Sequence, residues 1–327
     1  METSKEGDNM LDKKKKSIIL IVLFFVITYC VLYAIGIALT PKNKELIQTY
    51  RTVELKSVFA EDDNTLDALV VGHSGVLYAS SPMEMYDAYG ITSYNLAKTT
   101  QAPFEAYHTI LEVLKHQSPK VIVLNIDEFT YDRFNNLAKI AGLDFLNKAF
   151  PIFNVHTRWK YISEEQVIPR SITKNYCCYS TIKPYKGHKK MEPTDKVHEI
   201  IKPWRNYLDK ICDLCEEKGI GIIFVEYPTK TFWNYKRHNG FQIYADNRGI
   251  KFIDFNLLEE EIGLDWSHDT CDKGDHMNAY GAKKCSLYVA KYITETYGLI
   301  NHRGEEKYAK WEEDIQKYRE TYGEIEI

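Results

Sequence analysis

The feature that most restricts the fold of this chain is an uncharged run of 24 residues, Ser17 to Thr40. About 20 apolar residues cross the hydrocarbon core of a bilayer as a helix, so this run is long enough to span a membrane. The lysines Lys13 to Lys16 precede it, and the positive-inside rule then keeps the N-terminus in the cytoplasm. A cleaved signal peptide is the alternative, but its apolar core is shorter and a small-residue cleavage site follows it. We expect a single-pass signal anchor over residues 17–40 in the lipid bilayer, with everything after about residue 41 extracellular.

The composition of the chain describes a folded domain and excludes several classes of protein. Lys and Arg number 42 and Asp and Glu number 46, so the net charge is −4 and the basic excess of a nucleic-acid-binding protein is absent. Hydrophobic residues make up 44% of the chain, which supplies a full core without disulfide staples. We therefore expect a globular domain after the anchor and no nucleic-acid partner.

The seven cysteines do not assign a function. Cys30 lies in the apolar run, and six others could pair outside the cytoplasm: Cys177, Cys178, Cys212, Cys215, Cys271 and Cys285. Cys212 and Cys215 form a C-x-x-C, a spacing found in redox and zinc sites. That pair lies in an amphipathic helical pattern, and no second C-x-x-C follows at zinc-ribbon spacing. We expect helix-packing cysteines, no metal and no cofactor.

The pattern after the anchor predicts an α/β fold of βαβ units around a central parallel sheet. Short buried strands are expected at 67–71, 121–126, 220–225 and 252–255, and helices at 106–115, 203–217, 233–247 and 280–297. The expected organisation is a basic N-terminus at 1–16, the anchor at 17–40, a connector at 41–65, an α/β domain at 66–300 with an insertion at about 129–200, and a charged C-terminal helix or tail at 301–327. Tyr308, Trp311, Tyr318 and Tyr322 are expected to pack that tail on the domain.

The first motif with chemical meaning is LVVGHSG, residues 69–75. A buried strand runs into Gly72-His73-Ser74-Gly75, and ligands of open α/β sheets bind just beyond the carboxyl ends of the strands. Ser74 therefore stands where a nucleophile is expected. The alternative is that Ser74 only caps the following helix.

The second motif surrounds His276, in the run DTCDKGDHMNAYG from Asp269 to Gly281. A carboxylate that binds one nitrogen of an imidazole leaves the other nitrogen as a general base. Asp272 and Asp275 are both near enough in sequence to supply that carboxylate. The alternatives are an acidic first turn of a helix and a metal site that also uses His268 and Asp269.

The third motif is YGITSYNLA, with Gly90 and Asn95. A glycine backbone N–H and an asparagine amide can donate hydrogen bonds to a developing oxyanion. Each residue taken singly is commonplace at turns and strand ends.

In this order the three motifs resemble the SGNH, or GDSL-like, superfamily of hydrolases and acyltransferases. The resemblance covers most of residues 66–297 and is closest to the membrane-anchored branch that acts on bacterial envelope polymers, as in lipoteichoic-acid D-alanylation and alginate O-acetylation. It implies a three-layer α/β/α flavodoxin-like fold, with Ser74 as nucleophile and His276 as base. It also implies an oxyanion hole of the Ser74 N–H, Gly90 and Asn95. The superfamily places its aspartate three residues before the histidine, where this chain has Lys273, so Asp272 is favoured as the third member and Asp275 is the alternative.

These expectations describe an extracytoplasmic serine acyltransferase or esterase that adds acyl groups to, or removes them from, a cell-envelope polysaccharide or teichoic-acid-like polymer. By the same resemblance, a multi-pass membrane O-acyltransferase is an expected partner. Substrate contacts are expected from His73, Gln101, His156, Arg158 and Asn278, and the lysines Lys183, Lys186, Lys189 and Lys190 could meet an anionic polymer. The alternatives are a non-catalytic carbohydrate-binding or scaffold protein and, more distantly, a zinc-dependent deacetylase.

Overall fold

The structure is a computed structural model that describes residues 2–39, 57–130, 146, 149–150, 152, 170–187 and 191–327. The chain divides into two compact units, one of residues 1–48 with 133–167 and one of residues 49–132 with 168–327. The predicted contacts of His156, Arg158, Lys189 and Lys190 lie outside the described residues.

The first unit contains the helix α1, Glu2–Leu39. Its segment Lys13–Ala38 is long and apolar enough to cross a membrane. Large apolar side chains such as Phe24 and Phe25 are about two-thirds exposed along it, which is the surface that a lipid environment would cover. The expected apolar helix is confirmed by length and composition, and its orientation in a membrane stays a prediction.

The second unit is built on a five-stranded parallel sheet. Its strands are β1 Ala68–Gly72, β2 Ser93–Ala97, β3 Val121–Asn125, β4 Gly221–Glu226 and β5 Phe252–Asp254, in the order β2-β1-β3-β4-β5. That order is the flavodoxin-like one, so the predicted fold class is confirmed. β2 was not among the predicted strands, because its buried Ser93 and Asn95 interrupt the apolar run that identifies the others.

Helices cover both faces of the sheet, which gives three layers. The helices are α2 Ser74–Ala79, α3 Pro82–Tyr89, α4 Pro103–Val113, α5 Lys202–Lys218, α6 Tyr235–Arg248, α7 Ala279–Tyr297 and α8 Ala309–Tyr322. On one face Val76 of α2 and Val289 of α7 share a buried core with Val70 and Val123 of the sheet. On the other face the ring of Phe224 lies 5.7 Å from that of Phe241 in α6.

The C-terminal helix α8 packs on this unit, as the aromatic spacing of the tail predicts. Tyr308, Trp311 and Tyr318 are buried, whereas Tyr322 remains 41% exposed. Beside them a cluster of four buried or half-buried charges, here named the ion cluster, consists of Glu61, Arg170, Lys174 and Asp314. The Nζ of Lys174 lies 2.7 Å from Glu61 and 2.6 Å from Asp314. The ion cluster thus joins α8 to the segment before β1.

Candidate active site

Ser74 lies where β1 ends and α2 begins, at the carboxyl edge of the sheet. Gly72 closes β1, and a Cβ at that position would lie 2.6 Å from Val76 Cγ2 and 2.7 Å from Asn125 Cβ. Real Cβ atoms do not approach so closely, so the turn that carries Ser74 needs glycine there. Ser74 itself is half-buried, and its Oγ lies 3.3 Å from His73 Nδ1.

His276 lies in a tight loop that closes around the carboxylate of Asp272. The Oδ2 of Asp272 is 2.6 Å from His276 Nδ1, and its Oδ1 accepts hydrogen bonds from the backbone N–H groups of Asp275 and His276 at 3.0 and 2.7 Å. Burial alone would raise the pKa of Asp272, but the hydrogen bonds from His276 outweigh it and hold the pKa below its ordinary value. The carboxylate is therefore ionised and fixes the tautomer of His276, with the proton on Nδ1 and the lone pair on Nε2.

Distance separates the two aspartates that the sequence left as alternatives. Asp275 Oδ2 lies 3.6 Å from His276 Nδ1, beyond hydrogen-bonding range, and its Oδ1 accepts a hydrogen bond from the Thr231 hydroxyl. Asp272 and not Asp275 is thus the hydrogen-bond partner of His276. Asp272, Asp275 and His276 are also the one group in the described part of the chain whose potential metal ligands lie close together. Their ligand atoms are all within 4.8 Å of one another. The hydrogen bond between Asp272 and His276 accounts for that proximity without an ion.

The described residues include no hydrogen bond between His276 and Ser74. The two motifs nevertheless belong to one region, because the His276 ring lies 4.6 Å from that of Tyr78 in α2, the helix that begins at Ser74. The His276 side chain is 19% exposed, and its charge also contributes to lowering the pKa of His73. Catalytic hydrogen bonds are often long before substrate binds, so this geometry is compatible with a serine–histidine pair.

Gly90 lies far from Ser74, and its predicted role is corrected. It ends α3 with φ of 69°, its N–H donates to Tyr86 O at 2.7 Å, and its carbonyl accepts from His302 N at 2.9 Å. β2 runs parallel to β1, so Gly90, three residues before β2, lies at the amino edge of the sheet. Ser74 lies at the carboxyl edge, and the Gly90 N–H cannot reach an oxyanion there.

The position of Asn95 also does not allow its amide to donate to an oxyanion at Ser74. It pairs with Val70 in the middle of the β1–β2 ladder and is fully buried. Its Nδ2 donates to Ser80 O at 2.6 Å, at the end of α2. The amide therefore ties the α2 terminus to β2, and only the Ser74 N–H of the predicted oxyanion donors remains at the site.

The predicted substrate-binding residues are engaged inside the protein. His73 is 7% exposed, its Nδ1 accepts from Gly75 N at 2.9 Å, and its Nε2 contacts Asp127. Asn278 is 1% exposed and caps α7 by accepting from the N–H groups of Tyr280 and Gly281. Gln101 is buried, and its amide donates to Leu96 O at 3.3 Å. Burial keeps these side chains from solvent, and their contact with a substrate stays a prediction.

Sequence reasoning missed a group of buried acids at the carboxyl ends of β3 and β4. This acidic cluster consists of Asp127, Glu128 and Glu226, all at most 2% exposed. Burial raises the pKa of each carboxyl, and the positive charge of Arg237 opposes that rise at Asp127 and Glu226. The sequence feature that could have identified this cluster is the run Asn125-Ile-Asp127-Glu128 at the end of the apolar strand β3. Binding sites of α/β sheets lie at this edge.

The C-x-x-C pair is structural. All seven cysteines are free thiols, and Cys212 and Cys215 are buried in α5. Burial raises the pKa of Cys212 to about 11 and that of Cys215 to about 12. Thiolates are the reactive form, so these thiols are poorly suited to redox chemistry near neutral pH.

Comparison with known proteins gives similar structures but no similar sequence. No protein-family profile and no curated protein matches the chain. A protein described as lipolytic and of the G-D-S-L family, from Desulfitobacterium hafniense DCB-2, aligns with 69% of this chain and 98% of its own at 10% identity and a TM-score of 0.40. A GDSL-like lipase from Bacteroides thetaiotaomicron VPI-5482 aligns with 70% of this chain and 87% of its own, at 10% identity and a TM-score of 0.34.

Proposed function

We propose that this chain is a serine-dependent enzyme that forms an acyl-enzyme on Ser74, with His276 as general base. The observation that carries the proposal is the 2.6 Å contact between Asp272 and His276 Nδ1. It leaves Nε2 as a proton acceptor on a partly exposed imidazole in the region of Ser74. A metal-independent acyl transfer needs this arrangement of a hydroxyl, an imidazole and an orienting carboxylate.

The proposed reaction has two proton transfers through one nitrogen. As Ser74 Oγ attacks the acyl carbonyl, its proton passes to His276 Nε2, and the Asp272 carboxylate stabilises the imidazolium. The Ser74 backbone N–H is the proposed donor to the oxyanion. When the tetrahedral intermediate collapses, His276 returns the proton to the leaving oxygen. An acceptor hydroxyl, or water, then repeats the sequence on the acyl-enzyme, giving transfer or hydrolysis.

The proposed acceptor is a cell-envelope polysaccharide or a teichoic-acid-like polymer. Support comes from residues 177–187, which run beside the His276 loop: Ala279 N donates to Tyr179 O at 2.7 Å and Lys183 N to Thr270 O at 2.9 Å. This segment presents Tyr179, 48% exposed, and the exposed side chains of Lys183 and Lys186. A ring face with nearby ammonium groups suits an anionic sugar polymer. A membrane O-acyltransferase is the proposed donor partner, because α1 can hold the enzyme at a bilayer.

Labelling with a fluorophosphonate tests the nucleophile. We expect the wild-type protein to be labelled and Ser74→Ala to be silent, since the probe phosphonylates only an activated serine. His276→Ala should lose labelling as well. The matched control is His268→Ala, since His268 also contacts an aspartate, Asp269 at 3.0 Å, but its side chain is 44% exposed and belongs to no proposed step. Equal labelling of wild type and Ser74→Ala would falsify the proposal.

The second candidate is a non-catalytic carbohydrate-binding protein. The observation that favours it is the placement of Gly90 and Asn95, which leaves the predicted oxyanion hole with one donor. Retained binding of an anionic polysaccharide by a wild-type protein that no fluorophosphonate labels would select this candidate. Acyl transfer that requires His276 would exclude it.

A further inference from the structure

Ser74 has a second imidazole beside it, and that imidazole also has its own aspartate. His73 Nδ1 lies 3.3 Å from Ser74 Oγ, and His73 Nε2 contacts Asp127 Oδ2. Ser74 therefore contacts the pair His73–Asp127, and the pair His276–Asp272 lies against Tyr78 of the helix that begins at Ser74.

The hydrogen bonds of His73 determine where its ring proton lies. The Gly75 backbone N–H can only donate, and it points at His73 Nδ1 from 2.9 Å. Nδ1 is therefore unprotonated, and the proton is on Nε2, from which it is donated to Asp127. The same Nδ1 is the acceptor that faces the Ser74 hydroxyl.

The surroundings of His73 keep its ring neutral. Its side chain is 9% exposed and that of Asp127 is 1% exposed. Burial, and secondarily the charge of His276, lower the pKa of His73 to about 3. Arg237 favours the ionisation of Asp127, and Asp275 opposes it. Glu128 and Glu226 also interact with Asp127, since the charge of Asp127 raises the pKa of both. A neutral ring with a fixed tautomer accepts hydrogen bonds at Nδ1 without taking up the proton of the hydroxyl.

We propose that His73, held in one tautomer by Asp127, is a positioning residue that orients the Ser74 hydroxyl and the first turn of α2 for attack. The inference rests on the proposed role of Ser74 as nucleophile. In this arrangement His73 Nδ1 receives the Ser74 O–H in the resting protein. When an acyl donor binds, the hydroxyl proton passes to His276 Nε2, and His73 keeps its own proton throughout. The Gly75 N–H is held by His73 and is thereby removed as an oxyanion donor.

Two substitutions of His73 separate its two nitrogens. In His73→Asn the carboxamide oxygen can occupy the place of Nδ1 and accept from Gly75 and Ser74. In His73→Gln the carboxamide reaches the place of Nε2, keeps the contact with Asp127 and loses the acceptor. We expect the rate of fluorophosphonate labelling to fall on the order of 10²-fold in His73→Gln, and no more than about tenfold in His73→Asn.

Asp127→Asn tests the tautomer. An asparagine amide can donate to His73 Nε2 and so favour the tautomer with its proton on Nδ1, which no longer accepts from Ser74. We expect a labelling loss like that of His73→Gln, with the pH midpoint of labelling unchanged from that of the wild type. His268→Asn is the control, because it substitutes another histidine that contacts an aspartate, Asp269. Melting temperatures show whether each variant is folded.

Several results would overturn this inference. Equal losses in His73→Asn and His73→Gln that track their melting temperatures indicate a purely structural cap. A His73→Gln protein as inactive as His276→Ala, with a shifted pH midpoint, would indicate that His73 is itself the base. Nitrogen NMR of the ring gives a readout that needs no activity: we expect a neutral ring protonated at Nε2 between about pH 5 and 8. Titration in that range, or a proton on Nδ1, contradicts the inference even if Ser74 proves not to be a nucleophile.

Discussion

The ion cluster beside β2 and the acidic cluster at the carboxyl edge are both buried, but they differ in how many of their charged groups have a partner. In the ion cluster every charge has an opposite partner: Lys174 contacts Glu61 and Asp314 within 2.7 Å, and Arg170 contacts Glu61 at 2.6 Å. In the acidic cluster, Asp127 Oδ1 and both oxygens of Glu128 are buried without a hydrogen-bond partner in the described part of the chain. Buried unsatisfied polar groups are uncommon in folded proteins and concentrate at functional sites.

This difference separates a region that stabilises the fold from the region of the proposed active site. A fully paired cluster destabilises the protein strongly when one partner is removed. In the acidic cluster the buried carboxylate oxygens without a partner weaken the fold, and Asp127 places a carboxyl with a raised pKa against His73, next to Ser74. Substitutions in the ion cluster should therefore lower stability and leave the reaction intact. Substitutions at the carboxyl edge should slow the reaction, and removal of an unpaired acid there should raise stability.

The largest expected effect is on activity at the carboxyl edge. Asp272→Asn retains the shape of the side chain but can donate to His276 Nδ1, which moves the ring proton to Nε2 and removes the base. We expect fluorophosphonate labelling to slow by about 10⁴-fold with little change in melting temperature, because the Asp272 side chain is 35% exposed.

The matched control for that substitution is Asp275→Asn. Asp275 lies 3.6 Å from the same nitrogen, so we expect no more than about a tenfold loss. A larger loss in Asp275→Asn than in Asp272→Asn reverses the assignment of the two aspartates.

The next effect is on stability in the ion cluster. Lys174→Met leaves Glu61 and Asp314 buried without the ammonium between them, and breaking a buried pair in this way costs about 3–5 kcal/mol. Urea denaturation measures the free energy of unfolding. Labelling of Ser74 in the folded variant should remain at the wild-type rate.

The control for Lys174→Met is a substitution in an exposed ion pair. Lys310 contacts Asp62 at 2.7 Å, but both side chains are about half exposed. Lys310→Met should change the free energy of unfolding by less than about 1 kcal/mol. If the two variants are equally stable, the ion cluster does not stabilise the fold as described.

The third expected effect, smaller than that of Lys174→Met and opposite in sign, is a gain of stability at the acidic cluster. Burial raises the pKa of Glu128 above its ordinary value, so the folded protein binds more protons than the unfolded one. The stability contributed by Glu128 is then present at low pH and is lost as the pH rises above about 4.3. Glu128→Gln cannot ionise, so the variant avoids this decrease in stability. We expect its free energy of unfolding at pH 7 to exceed that of the wild type by about 1–3 kcal/mol.

Urea denaturation curves at acidic and neutral pH test the predicted direction of this pH dependence. The difference between wild type and Glu128→Gln should grow as the pH rises. A difference that shrinks with rising pH means that Glu128 is stabilised as a carboxylate and that the acidic cluster is paired after all.

Local sequence determined the fold class and the position of each reactive group along the chain. Apolar runs at 121–126 and 220–225 predicted β3 and β4, because strands buried on both faces read as continuous apolar segments. Gly219 and Gly249 marked the ends of α5 and α6. Ser74 after a strand, and His276 with acidic neighbours, were found in the same way, since each depends on residues within one turn or loop.

The edge of the sheet on which a residue lies was decided only by the tertiary structure. Gly90 and Asn95 looked like oxyanion donors, but the start of β2 at Ser93 places Gly90 at the opposite edge and Asn95 inside the ladder. The sequence favoured Asp272 over Asp275 only by resemblance, and the path of the loop places Asp272 at 2.6 Å from His276 Nδ1. The pairing of His73 with Asp127 joins residues 54 positions apart. Such contacts depend on strand order and burial, which short-range patterns do not specify.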